Sequence, residues 1–117
     1  MSISSGSGLE AGSPPAYAAA KVALISHSKT LAMALAPQKI RVNVIPPGSI
    51  EFPGGLWESA RTHDPAFHAS VLATIPWGRM GTADAVAGAV AFLASARASW
   101  ITGVCLGLDG GQRKANI

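Results

Sequence analysis

A phenol and an ammonium stand four residues apart in Tyr17-Ala18-Ala19-Ala20-Lys21. On a helix, that spacing puts both side chains on one face, a turn apart. A free phenol is a poor base at neutral pH, because its reference pKa is about 10. A neighbouring cation and the positive end of a helix both favour the phenolate. Placed between them, Tyr17 can pass a proton to or from a carbonyl or alcohol oxygen. The pair alone is weak evidence, since Tyr and Lys also meet at this spacing as ordinary helix neighbours. Upstream lie Ser4 and Ser5, at the end of a short apolar start. A strand-end hydroxyl facing the tyrosine would hydrogen-bond the substrate oxygen, whereas most loop serines only cap turns.

These groups need elements to hold them. Met1 to Ser5 read as the end of a strand, and the Gly/Ser/Pro-rich residues 6–14 as a loop. Ser13 is placed to cap a helix whose first turn takes Pro14 and Pro15. Strong helix formers then run through Ala36, with Leu24, Leu31 and Leu35 as one apolar stripe, until Pro37 stops them. Ile40 to Ile45 is a β-branched run and a predicted strand, ended by Pro46-Pro47-Gly48. Residues 49–81 form a long, irregular insertion with short helices predicted around Leu56–Thr62 and Pro65–Thr74. Thr82 caps a further helix to about Ala94, with Asp84 in its first turn. Gly103 to Leu108 is a last strand, closed by Asp109-Gly110-Gly111. Strands alternating with helices predict a parallel sheet with helices on its faces.

Composition narrows the function classes. Hydrophobic residues make up 49% of the 117 residues and charged ones 13%, which excludes a disordered chain. So little charge on a small chain predicts that part of its surface meets a partner. The net charge of +3 is scattered, and no basic stripe interleaves with aromatics, so nucleic acid is not an expected partner. Lys21, His27 and Lys29 interrupt the most apolar helix, so no membrane span is expected. Cys105 is the single cysteine, which rules out an internal disulfide and suits a reducing cytoplasm. His27, His63 and His68 lack metal-ligand spacing, and no metal site is predicted.

The ordered motifs resemble a known family. They run Ser-Ser-x-x-Gly, Tyr-Ala-Ala-Ala-Lys, Ile-Arg-Val-Asn-Val-Ile-x-Pro-Gly, Gly-Arg-Met-Gly-Thr, Phe92-Leu93-Ala94-Ser95, Ile-Thr-Gly and Leu-Asp-Gly-Gly. From Ile3 to Gly111 this order is similar to the C-terminal half of the short-chain dehydrogenases/reductases. The resemblance implies an α/β fold: a partial Rossmann-like, doubly wound parallel sheet made of the last three strands and their helices. It implies a catalytic half over residues 1–112, with the substrate loop at about 49–81, and a C-terminal tail over 113–117. The implied activity is hydride transfer between NAD or NADP and a small alcohol or ketone. Tyr17 would be the acid/base, and Lys21 would assist it and hold the nicotinamide ribose. The serine would be Ser5 or Ser4. Ser5 lies three residues before Gly8, as in the family, while Ser4 has the commoner separation from Tyr17. Pro47, Gly48 and Ile50 match the segment beside the nicotinamide, although Phe52 stands where a threonine is common. Phe52, Leu56, Trp57 and Trp77 are candidates for an apolar substrate pocket or for plain packing. Asn43 matches a structural position in the family's strand. The resemblance also implies a homo-oligomer.

One expected part is not found. A dinucleotide fold binds pyrophosphate through a glycine-rich strand-turn-helix. Residues Gly6 to Gly12 imitate such a loop, but the glycine spacing differs and no acidic residue follows before Glu51 except Glu10 inside the loop. The pyrophosphate-binding segment is therefore missing from these residues, and a truncated chain is expected. The alternative to an enzyme is a non-catalytic remnant or association module.

Overall fold

The computed structural model describes residues 1–116. Strand β1 (Ser2–Ile3) pairs in parallel with β2 (Val44–Ile45). A third extended segment bridges in parallel at Val44–Cys105 and Pro47–Leu108. Hydrogen bonding shows that β2 is central. The carbonyls of Asn43, Ile45 and Pro47 accept from Ser2, Ser4 and Gly6 on one side. Those of Val42, Val44 and Pro46 accept from Gly103, Leu106 and Leu108 on the other.

β2 is shorter than the predicted run over 40–45, and the predicted last strand over 103–108 makes only isolated bridges. Pro46 and Pro47 have no N–H to continue the ladder. Upstream, side chains replace backbone partners. Thr102 Oγ1 accepts from Val42 N–H at 3.1 Å. The buried Asn43 amide donates to Ile101 O at 3.0 Å and accepts from Val104 N–H at 3.1 Å. Asn43 is thus a structural clamp between β2 and the third segment.

Helix α1 (Pro15–Leu35) returns from β1 to β2. Ser28 and Ala32 are buried along its inner face, flanked by the half-buried Leu24, Leu31 and Leu35. Ser13 does not cap it. Pro14 occupies the cap position without a side-chain bond, and the Ser13 hydroxyl donates to Ser7 Oγ at 2.6 Å. Pro37 lies in a closing 3₁₀ turn, Ala36–Gln38, after which Lys39 turns left-handed at φ 62°. Helices α2 (Leu56–His63) and α3 (Pro65–Leu72) lie in the insertion as predicted. Helix α4 (Ala83–Ala94) is capped by Thr82, whose hydroxyl accepts from Ala85 N–H at 3.2 Å.

The core sits between α4 and the sheet, where Ile45, Leu93 and Ala98 are sealed by Val90, Ile101, Val104, Leu106 and Leu108. Away from this cluster, Gly103 turns at φ 69° and its backbone meets Lys29 and Ala32 of α1. The two long helices therefore cover opposite faces of the sheet. Arg41 ties the end of α4 down, donating to the carbonyls of Leu93, Ala94, Ser95 and Ile101. A cation there also offsets the negative end of the helix dipole.

The C-terminal turn folds back on the sheet. The Arg113 guanidinium lies across Gly107 and bonds the Asp109 carboxylate, both side chains being nearly buried. Burial opposes the Asp109 charge. The hydrogen bonds from Arg113 and Gly111 N–H and the Arg113 charge outweigh it, holding this carboxyl below its ordinary range. Burial pushes the half-buried Cys105 thiol up, with Arg113 pulling the other way, which suits an inert packing role.

Two outcomes follow. Asn43→Ala leaves Val104 N–H without a partner and the Ile101 carbonyl with only the long Arg41 bond, so urea denaturation should show a loss of about 1–3 kcal/mol. A depressed carboxyl stabilises the fold above its unfolded pKa of about 4 and loses that contribution as pH falls further. Acid titration of stability should therefore fall less steeply below pH ~4 in Asp109→Asn than in the parent. Parallel profiles would contradict that role for the ion pair.

Candidate active site

The end of β1 sits against the second turn of α1, and this contact assembles the candidate groups. Ser4 is 4% exposed, and its hydroxyl donates to the Lys21 carbonyl at 2.7 Å. Gly8 closes the following 3₁₀ turn, Gly6–Gly8. A Cβ on Gly8 would fall 2.9 Å from the Lys21 carbonyl carbon and 3.1 Å from Val22 N. Both are rigid backbone atoms, so only glycine lets the serine turn lie this close to the helix. The Ser-x-x-Gly spacing thus has a physical reason.

Neighbouring serines take opposite roles. Strand alternation turns Ser4 inward and leaves Ser5 at the strand end. Ser5 Oγ accepts from Ser7 N–H at 3.2 Å and caps the 3₁₀ turn. Its own proton has no acceptor among the described residues. The single proton of Ser4 is already given to the helix.

Tyr17 and Lys21 share a face of α1, as their spacing predicts. The Lys21 ammonium lies 5.5 Å from the centroid of the Tyr17 ring, within the range of cation–π attraction. Tyr17 is 47% exposed, so its ring is open to a ligand from the solvent side.

Pro47, Gly48 and Ile50 follow β2 beside the serine turn. The Pro47 carbonyl accepts from Gly6 N–H at 2.9 Å, and Gly48 N–H donates to Leu108 O at 3.0 Å. Both are thereby drawn into the sheet's own bonding. Ile50 differs. In its parallel bridge with Gly81, the bonds are made by Ser49 O and Glu51 N–H. The Ile50 N–H and carbonyl face the opposite edge and pair with nothing among the described residues. A free donor and acceptor side by side can bond a planar amide.

The four apolar residues proposed for a pocket do not converge. Trp77 lines a cavity of about 270 Å³ together with Ser49, Ile50, Arg79, Leu108 and Asp109. Trp57 stacks instead on Phe67, with ring centroids 5.7 Å apart. Phe52 lies against Gly55, and Leu56 is exposed. Among the described residues, no group of three or more His, Cys, Asp or Glu side chains is placed to hold a metal ion.

The sequence reading missed Glu51. Its carboxylate bonds Arg61 of α2 at 3.2 Å and lies 3.1 Å from Nε2 of His68 on α3. One acidic residue next to Ile50 therefore grips both insertion helices. An isolated acid inside a Pro/Gly-rich apolar stretch was the available signal. Gly8→Ala should separate the serine turn from the Lys21 turn and cost about 1–3 kcal/mol in thermal or urea unfolding. An unchanged midpoint would show that the contact is not tight.

Known proteins share this fold. A family model described as enoyl-(acyl carrier protein) reductase matches residues 1–113. The 3-oxoacyl-[acyl-carrier-protein] reductase FabG of Salmonella typhimurium is 47% identical over 96 residues, covering 82% of this chain and 37% of that protein. Its counterpart in Escherichia coli is 46% identical over the same length and coverage. A solved oxidoreductase of the short-chain dehydrogenase/reductase family from Burkholderia thailandensis aligns with a TM-score of 0.87 at 36% identity. That alignment covers 97% of this chain and 43% of that one. A 4-hydroxyisoleucine dehydrogenase complexed with NADH gives 0.88 at 33% identity, covering 97% of this chain and 46% of that one. The chain thus spans less than half the length of the relatives it matches. By that full-span match and these identities, the chain belongs to the short-chain dehydrogenase/reductase family.

Proposed function

We propose that this chain is the catalytic half of an oxidoreductase that interconverts a small alcohol and its ketone with NAD or NADP. The supporting observation is the pairing of Tyr17 with Lys21 on one helix face, beside a serine whose proton is not committed. In the reducing direction, Tyr17 gives its hydroxyl proton to the carbonyl oxygen while hydride reaches the carbonyl carbon. The C=O double bond becomes C–O–H, and the phenolate left behind is stabilised by the Lys21 ammonium. In the oxidising direction, the phenolate takes the alcohol proton. Ser5 is the serine that holds the substrate oxygen, and Ser4 is structural.

The nicotinamide cofactor, when bound, supplies or takes the hydride. Ile50 would offer its N–H and carbonyl to the carboxamide, with Pro47 and Gly48 fixing that segment, and Lys21 would hold the ribose. The choice between NAD and NADP belongs to a pyrophosphate- and ribose-binding segment not found in these residues. The insertion lies on the substrate side, where Trp77 and the cavity wall favour an apolar group. Exposed apolar side chains on α1, Val22 and Met33, suit a homo-oligomer contact, in a cytoplasmic setting.

The reading is tested in the full-length polypeptide with a 3-oxoacyl thioester, the substrate class named for the relatives at 47% identity. Nicotinamide oxidation is followed by absorbance. Tyr17→Phe should lower kcat by roughly 10²–10⁴-fold while nucleotide affinity changes little. Ser5→Ala should also lose turnover. Ser4→Ala should keep turnover and lose stability instead. Parental turnover by Tyr17→Phe defeats the proton-transfer role.

A further inference from the structure

The insertion is long, yet one neutral side chain ties its first root to the turn after α3. The chain leaves the sheet at Ser49 and returns at Gly81, where Gly81 N–H donates to Ser49 O at 2.9 Å. Between these points, α3 ends at Leu72 and the chain turns at Thr74. Gln112 reaches the first root and the Thr74 turn from the C-terminal turn. Its Oε1 accepts from Ser49 N–H at 3.0 Å. Its Nε2 donates to Ser49 Oγ at 3.0 Å and to Thr74 Oγ1 at 3.1 Å.

The chemistry of the site calls for an amide. The Thr74 hydroxyl already donates to Val71 O at 2.6 Å, so it can only accept from Gln112. Ser49 N–H can only donate. A partner for both must carry an acceptor and a donor close together, which the primary amide of Gln112 supplies. Gln112 is itself held in place. Its N–H donates to Asp109 O at 3.0 Å, and the neighbouring Arg113 is bonded to the Asp109 carboxylate. Gly48 allows the close approach, since a Cβ there would fall 2.7 Å from Asp109 Cβ and 2.8 Å from Gln112 Oε1. The Gly110 carbonyl adds a further tie, accepting from Trp77 N–H at 3.2 Å.

We propose that Gln112 is a positioning residue that clamps the insertion's first root, next to Ile50, to the turn after α3 and thereby governs substrate entry. Only the word substrate rests on the oxidoreductase reading; the clamp is geometric. The Glu51 grip on Arg61 and His68 makes α2 and α3 move with the root that Gln112 holds. Gln112 touches no reacting atom, so its loss acts on binding more than on the chemical step.

The test compares the parent, Gln112→Met and Gln112→Glu in the full-length polypeptide. Met keeps the length and removes the whole amide. Glu keeps the acceptor for Ser49 N–H and loses the hydrogens for Thr74. Amide hydrogen exchange is read over α2 and α3, with α1 and α4 as internal controls. Exchange in α2 and α3 of Gln112→Met should quicken by roughly tenfold or more, the size expected for losing its three hydrogen bonds. The controls should not move, and Gln112→Glu should lie between. With the 3-oxoacyl thioester, KM should rise several-fold while kcat stays within about twofold. Unchanged exchange in α2 and α3, or equal quickening in all four helices, overturns the clamp. A fall in kcat at constant KM overturns the entry role. Parental turnover by Tyr17→Phe would defeat the oxidoreductase reading instead, and exchange alone would then decide the clamp.

Discussion

The contact between the end of β1 and the second turn of α1 determines where every candidate group stands. It is made of two parts that reinforce one another. The Ser4 hydroxyl bonds the Lys21 carbonyl, and Gly8 lies so close to that carbonyl that no side chain fits between them. A hydrogen bond sets the direction, and the missing Cβ sets the distance. Because Lys21 is fixed by its own backbone, Tyr17 one turn earlier is fixed as well. Ser5, between the two anchors, then has no freedom to leave the strand end.

The sheet that carries this contact is held by an unusual share of side-chain bonds. Two prolines follow directly on β2, and a proline cannot donate to a ladder. Asn43 and Thr102 restore the pairing through their side chains just upstream. Arg41 gathers the carbonyls at the end of α4, which a short helix would otherwise leave to water. The result is a central strand with both edges in use and helices on both faces. Pro47 and Gly48 gain from this. Their bonds to Gly6 and Leu108 join the serine turn, the central strand and the third segment at one level.

The C-terminal residues are part of the same construction. Asp109, Gln112 and Arg113 pack against Gly48, Gly6 and Gly107, positions without side chains. Lys114 N–H reaches back to Glu10 at 2.8 Å and ties the turn to the loop before α1. A buried ion pair needs several supporting bonds to outweigh its desolvation, and Asp109 has them. The start of the predicted tail therefore docks on the body; Ile117 lies outside the described residues.

The sequence by itself determined what depends on neighbours close along the chain. Helices α1 to α4 were legible from helix formers, caps and prolines, to within a few residues. The shared face of Tyr17 and Lys21 followed from a period of 3.6 residues. Parallel pairing followed from the alternation of elements. What the tertiary structure decided involves partners tens of residues apart, and no periodicity encodes those. Ser4 and Ser5 are chemically identical in sequence; only the approach of Lys21 commits one proton and leaves the other. Ser13 and Ser7 prefer each other to a helix cap because the loop brings their oxygens together. Phe52, Leu56, Trp57 and Trp77 share apolar character, but Phe52, Trp57 and Trp77 have separate neighbours and Leu56 is exposed. Glu51 and Gln112 were silent for the same reason, since a polar side chain gains its role only when its partners arrive from elsewhere in the fold.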